Sequence, residues 1–270
     1  RELLETIDRY GIEAFHGAIQ YTIDISAESM ERAIMDLPDG VYEGEEYVDC
    51  DGIVDEEYRI HTKIIVKNGK VEVDLSGSSR QARTSINASY LDTKTAVATA
   101  FKYLLDPTTS FTSGAMRNID IVLPDATVAS AMPPEGVVFL YWEITNSIVL
   151  AIFKALKDVL KDKAIAGDYG SLNIHNANGV WPDGRPWVTM AQCGGEHGAW
   201  GATSVGDADS YNVIYLANNL DPSTEAIEID VPVVVLRKEY VPDTAGPGKN
   251  RGGAGVLKDT LWLTDTEHHS

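Results

Sequence analysis

The stretch from Trp142 to Leu160 reads as a helix that is apolar on almost every face. Such a helix has to be covered all round, so the rest of the chain must build a body about it. Its start breaks the pattern. Glu143, Asn146 and Ser147 stand at i, i+3 and i+4 and share one face. Buried polar groups require partners. These three therefore either satisfy neighbouring backbone or line a cavity.

The segments before it alternate in type. Residues 1 to 36 read as helix, with Leu3, Leu4, Ile7, Tyr10 and Ile12, then Ala18, Ile19, Thr22 and Ile23, at helical spacing. Ser26 or Ser29 is placed to cap a further short helix, and Leu37-Pro38-Asp39-Gly40 ends it in a turn. Val41 to Val48 is a strand that runs into Asp49-Cys50-Asp51-Gly52. That tetrapeptide resembles half of a calcium loop, but Tyr47 stands at the loop's first position and the match fails. Tyr58 to Val66 alternates strictly, Asn68-Gly69 is a two-residue hairpin turn, and Val71, Val73 and Leu75 form the returning strand. His61 falls among cations on the polar face and is expected to be solvated. Tyr90 to Leu105 is an amphipathic helix stopped by Asp106-Pro107, and Ile119 to Leu123 is a strand.

From Ala166 onward the pattern is strand and glycine turn. Strands fit Ser171 to Asn176, Pro186 to Gln192, Asn212 to Ala217, Val231 to Tyr240 and Val256 to Thr264, with no further long helix. Helices first, then strands, with hairpins between, predict an α+β fold: a mixed part over residues 1–165 and a β-rich part over 166–270.

Charge excludes some functions. Forty-one acidic residues against 22 basic ones give a net charge of −19, which disfavours binding to nucleic-acid phosphates. The most apolar window, Ile144 to Leu160, is broken by Asn146, Lys154, Lys157 and Asp158, so no membrane span is expected. Cys50 and Cys193 are the only cysteines, too few for a disulfide framework, and a reducing cytoplasm is the expected compartment. The chain opens on Arg1 in mid-helix pattern and reads as a fragment of a longer protein.

Two glycine-rich segments follow strands: Gln192 to Ala202 and Thr244 to Gly255. Each is either a tight structural turn or the working side of the scaffold. Cys193 and His197 have the groups of a thiol nucleophile and its base, as a cysteine hydrolase requires, but no third orienting residue is evident. Cys193, Glu196, His197 and Asp207 are of metal-ligating type, yet no pair has the i, i+4 helical spacing of a zincin. Gly248-Lys249-Asn250 is not a phosphate loop, because Asp243 replaces the required glycine and Asn250 the Ser/Thr that holds magnesium. Arg251, with the amides from Gly246 to Gly255, has the make-up of an anion-binding nest; a bulge or turn is the alternative.

Several stretches, in order across nearly the whole chain, resemble the hydantoinase B/oxoprolinase family. They are Leu37-Pro38-Asp39-Gly40-Val41-Tyr42, Asp49-Cys50-Asp51-Gly52, Val73-Asp74-Leu75-Ser76-Gly77-Ser78-Ser79 with Asn87 after it, and Glu143 ahead of Ala155-Leu156. Gly194-Gly195 through Trp200-Gly201-Ala202 and the run Gly246 to Gly255 complete the set. The resemblance implies a B-type subunit of an ATP-dependent enzyme that hydrolyses cyclic amides of the hydantoin or 5-oxoproline type. A related ketone carboxylase acting on acetone or acetophenone, or a non-catalytic scaffold of such a complex, is the alternative. It further implies that ATP and Mg2+ are held by a hydantoinase A-type partner subunit with an actin-like fold. Any divalent metal, Mn or Zn, would be bound by an amino-terminal part that this chain lacks, so no metal ligand is assigned here. Within the chain the candidate catalytic groups are Glu143, Asn146 and His197, with Asn87, Gly195, Gly248 and Arg251 as candidate substrate or anion contacts. The chain departs from the family's usual Glu-Thr-Ser-Gln-Arg at Glu143-Ile144-Thr145-Asn146-Ser147, and from its tighter glycine run at Gly194 to Gly198. Both departures fall where substrate contacts are expected.

Overall fold

The computed structural model describes residues 1–137, 142–170, 176–190, 198–212, 214–216 and 222–269. The chain divides into two compact units, Arg1–Lys161 and Asp162–Ser270.

The first unit is built on α4, Trp142–Leu160, whose predicted bounds hold at both ends. Ile144, Ile148, Ile152 and Leu156 have no exposed surface. α4 packs on the sheet formed by β1 (Gly40–Val48), β2 (Tyr58–Lys67), β3 (Lys70–Asp74) and β4 (Ile119–Val122), and against α3 (Tyr90–Leu105). The sheet order is β1-β2-β3-β4, with β1, β2 and β3 antiparallel and β4 parallel to β3. On β2 the alternation predicted from sequence appears as buried Tyr58, Ile60, Thr62, Ile64 and Val66. Asn68 (φ 51°) and Gly69 (φ 73°) make the hairpin turn to β3, both with the positive φ that such a tight turn requires. α3 starts in a capping box between Ser89 and Asp92.

Two expectations for this unit are corrected. The helical stretch over residues 1–36 is broken at Gly11 (φ 86°), giving α1 (Glu2–Tyr10) and α2 (Ile12–Met35), and α2 runs uninterrupted through Ser26 and Ser29. Ser26 caps nothing; it is buried and donates to Ser110 O at 2.9 Å. His61 is not solvated. Its side chain is 16% exposed, lies 3.6 Å from a Glu43 carboxylate oxygen, and packs on Gly77, where a Cβ would crowd the ring.

Two carboxylates bind the loops. Asp51 accepts from Ile53 N (3.0 Å), Val54 N (2.7 Å) and the Tyr58 hydroxyl (3.3 Å). The Val54 amide bond above all holds its carboxyl below the ordinary carboxylate range. Asp106 is more deeply set. Burial pushes its carboxyl up, but the bonds from Lys102 Nζ (2.8 Å) and the Thr109 hydroxyl outweigh it and leave it below the usual range.

The second unit is β-rich, as expected. β5 (Asn176–Val180) lies between β11 (Thr266–His269) and β6 (Pro186–Met190); β9 (Val233–Tyr240) pairs with β10 (Val256–Trp262), and β7 (Gly198–Ala199) with β8 (Ser210–Asn212). Ala177, Trp187, Ile227, Val231 and Val233 form its core, and Trp262 stacks on Trp187 at 5.8 Å. Of the strands expected at 171–176 and 212–217, only Asn176 and Asn212 lie in described strands, at the edges of β5 and β8. Ser171 to His175, Val213 and Ala217 fall outside the described residues, and Ile214 to Leu216 are not strand. The strand expected from Val231 begins at Val233, because α5 (Thr224–Asp230) precedes it. α5 is a short helix capped by Ser223, which accepts from Ala226 N at 3.3 Å. No described helix is long and apolar enough to cross a membrane. The fold is α+β.

Candidate functional site

In the first unit the polar start of α4 is enclosed. Asn146 is wholly buried and Ser147 nearly so, while Glu143 is half-buried. Two of the small polar groups turn back on their own helix: the Ser147 hydroxyl donates to Glu143 O at 2.7 Å and the Thr145 hydroxyl to Trp142 O at 3.4 Å. Helical spacing puts Glu143 and Asn146 on one face, one turn apart. The carboxamide of Asn146 is thus wholly buried in a helix whose other buried residues are mostly Ile, Val and Leu, where a polar group is kept only by specific bonding.

The approach to α4 is stapled by two amides. Asn87 is fully buried; its Oδ1 accepts from Ala82 N (2.7 Å), and its Nδ2 donates to Ala82 O (2.9 Å), Thr84 O (2.9 Å) and Gly136 O (3.1 Å). Gln81 holds the same loop through Met132 N (2.8 Å), Met132 O (3.1 Å) and Glu135 (2.9 Å). Asn87 therefore closes its own loop at Ala82 and Thr84 and ties it to Gly136, six residues ahead of α4. Gln81 was not singled out from the sequence; a lone polar residue in an irregular passage carries no periodic signal.

In the second unit the glycine segment after β9 folds along the chain that follows β7. Gly253 N donates to Trp200 O (2.9 Å), Ala208 N to Arg251 O (2.9 Å), and the Asn250 carboxamide to Thr203 O (2.7 Å). Gly253 lies so close to Asp209 O that a side chain would overlap it. Arg251 N donates to the Asp207 carboxylate at 2.7 Å, so one amide of the expected nest already holds an anionic group of the chain itself. The Arg251 guanidinium is half exposed, 3.8 Å from Asp243. Gly248 sits in the same turn, its Cα hydrogen facing Asn250 O.

The far end of the first glycine segment is anchored nearby. Gly201 N donates to Gly167 O (2.6 Å), the Tyr215 hydroxyl to the same carbonyl (2.8 Å), and Tyr215 N to Asp168 Oδ2 (3.0 Å). Gly198 lies flat on the Tyr169 ring, where a Cβ would overlap. Sequence reading missed Asp168, Tyr169 and Tyr215, since all three act across long chain separations. Gly195 and His197, with Cys193 and Glu196, lie outside the described residues. Among the described residues no group of three or more His, Cys, Asp and Glu side chains is arranged to hold a metal ion. The structure thus ties Asn87 to Gly136 ahead of α4, brings Arg251 against Asp207 and Ala208 after the first glycine segment, and leaves Gly248 in contact with its own turn at Asn250.

The chain is similar to known proteins. The Hydantoinase B/oxoprolinase family model matches residues 1–269. An uncharacterized protein of Methanocaldococcus jannaschii is 30% identical over 97% of this chain and 45% of its own length. A protein of Pseudomonas sp. strain NS671, named for the B component of a D-/L-hydantoinase, is 29% identical over the same shares. Among solved structures, the ATP-dependent caprolactamase of Pseudomonas jessenii superposes with a TM-score of 0.87 at 20% identity, over 98% of this chain and 46% of the other. The nucleotide-free acetone carboxylase gives 0.87 at 19% identity, over 98% and 38%. The chain spans about half the length of the curated relatives it matches. By the match along its whole extent, the chain belongs to the hydantoinase B/oxoprolinase family.

Proposed function

We propose that this chain forms part of the B-type subunit of an ATP-dependent enzyme that hydrolyses cyclic amides of the hydantoin or 5-oxoproline type. The observation that carries the reading is the complete burial of Asn146 in a mostly apolar helix, one turn from Glu143. A wholly buried carboxamide in a helix of Ile, Leu and Val is costly unless the fold uses it.

In this reading Glu143 and Asn146 present a carboxylate and a carboxamide to the ring being opened, and Asn87 sets the loop in front of them. His197 moves the proton that the departing ring nitrogen must gain. Gly195, Gly248 and Arg251 offer amides and a guanidinium to the oxygen on which negative charge develops. ATP and Mg2+ act from an A-type partner subunit, since the glycine-lysine segment here departs from a phosphate loop at Asp243 and Asn250. A metal, where such subunits use one, belongs to the part this chain does not span.

A second reading, a subunit of an ATP-dependent ketone carboxylase, is favoured by the equal likeness to acetone carboxylase. The experiment is reconstitution of the full-length subunit with an A-type ATP-binding partner. Lactam-dependent ATP hydrolysis, abolished in Glu143→Gln and lowered in Asn146→Leu and His197→Ala, supports the hydrolase. ATP turnover that requires a ketone and bicarbonate selects the carboxylase. Full-rate turnover in all three variants leaves only the scaffold role.

A further inference from the structure

We propose that the apolar stripe along α1 and the first half of α2 is the seat of a helix from the same polypeptide, contributed by the part of a subunit of the relatives' length that this chain does not span. The inference rests on packing and is independent of the enzymatic reading.

One face of α2 carries Ile12, Phe15, Ile19, Ile23, Ala27, Met30 and Ile34 at spacings of three and four. Its second half is core: Ala27, Met30 and Ile34 are 7%, 1% and 0% exposed. Its first half is the same stripe only partly covered, with Ile12 49% and Ile19 46% exposed and Phe15 and Ile23 half-buried. α1, across the break at Gly11, carries Leu3, Ile7 and Tyr10 at the same spacing and buries no residue at all. A stripe that is core at one end and only partly covered at the other is an interface interrupted at the edge of the body. Helices this short gain most of their stability from tertiary packing of such a face.

The chemistry of the stripe selects the occupant. Apolar residues at three-and-four spacing make a seam of the kind that packs along another helix. The flanks carry both signs, with Glu5, Asp8 and Glu13 against Arg1 and Arg9, which is the polar rim of a packed pair. A second copy is disfavoured, because each copy bears −19. The length supports an intramolecular partner. Both solved structures match over 98% of this chain, a share that leaves out fewer residues than α1 and the first half of α2 contain. The matched part is less than half of each of those chains.

The test is hydrogen exchange of the amides of residues 3–22 in the 270-residue chain and in the full-length subunit, each at two concentrations, and in the full-length subunit with its ATP-binding partner. The expected result is exchange about tenfold or more slower in the full-length subunit alone, at both concentrations. Fast exchange in the full-length subunit alone overturns the proposal, as does protection that appears only with the partner. Protection of the 270-residue chain that grows with concentration assigns the stripe to a second copy and also overturns it. Leu3→Lys with Ile19→Lys, at positions 56% and 46% exposed in the 270-residue chain, is expected to lower the Tm of the full-length subunit and to leave that of the 270-residue chain unchanged. Equal loss in both contradicts the proposal.

Discussion

Gly44 of β1 lies directly beneath Ala151 of α4, so close that a methyl group on Gly44 would overlap the Ala151 carbonyl and stand 2.6 Å from Ala155 N. The helix backbone, not its side chains, meets the sheet at this point. That approach fixes the depth at which α4 sits and therefore where Glu143 and Asn146 are held. Gly44→Ala forces two backbones apart and is expected to cost about 1–3 kcal/mol, read as a lower midpoint in urea. Gly17→Ala on exposed α2, where an added methyl meets nothing, is the matched control and is expected to gain about 0.5–1 kcal/mol. Equal effects at the two positions would remove the contact from the account.

Acid should loosen the first unit. Asp51, Asp74 and Asp106 all have carboxyls held below the ordinary range. A carboxylate with a depressed folded pKa contributes stability that is fully present above its unfolded pKa of about 3.9 and is lost as pH falls through the folded value. Unfolding followed from about pH 7 to about pH 2.5 is therefore expected to show stability falling below about pH 4. Asp106→Asn leaves the Lys102 ammonium buried without its partner and is expected to cost about 3 kcal/mol at neutral pH while flattening the acid limb. An acid limb unchanged in Asp106→Asn would show that other carboxylates set it.

Much of the first unit was legible because its signals are periodic. The alternation of Tyr58 to Val66 and the all-round apolar run of α4 each have one structural solution, and the bounds of α3 and α4 followed from Asp106-Pro107 and from the pattern itself. The break at Gly11 was not foreseen, because the stripe continues on both sides of it and periodicity does not register a change of direction. His61 was misplaced for a different reason. Its strand alternates correctly, but Gly77, distant in sequence, supplies the cover. In the second unit short strands joined by glycine turns carry few residues per element, so bounds slid and α5 was missed, although Pro222-Ser223 with Glu225 is a fair helix start. The site was legible as residue types, not as roles: nothing in the sequence distinguishes Asn87 bonding main chain from Asn87 facing a ligand.

Asn87 supplies the next test. Its amide faces three carbonyl oxygens and its oxygen faces one N–H. Asn87→Ala deprives buried main-chain groups of their partners and is expected to cost about 2–4 kcal/mol. Asn87→Asp should be worse, since it turns a carboxylate toward the same three carbonyls. Thermal unfolding ranks the variants: wild type above Asn87→Ala above Asn87→Asp is expected, and Asn87→Asp at or above Asn87→Ala, or either at the wild-type Tm, would contradict this bonding.

The glycine segment of the second unit separates backbone from side chain at a single residue. Arg251 holds the fold through its main chain, donating to Asp207 and accepting from Ala208 N, while its guanidinium is half exposed. Arg251→Ala keeps both main-chain bonds, and its stability is expected to stay within about 0.5 kcal/mol of wild type. Asp207→Ala removes the acceptor and is expected to cost about 1 kcal/mol. In the reconstituted full-length enzyme the order reverses. Loss of the guanidinium is expected to lower kcat/KM by about 10²-fold if it meets the developing oxyanion, an effect that Asp207→Ala should not match. Unfolding and turnover measured on the same two variants decide it: Arg251→Ala with wild-type kcat/KM and wild-type stability makes the side chain a bystander and leaves the segment a purely structural turn.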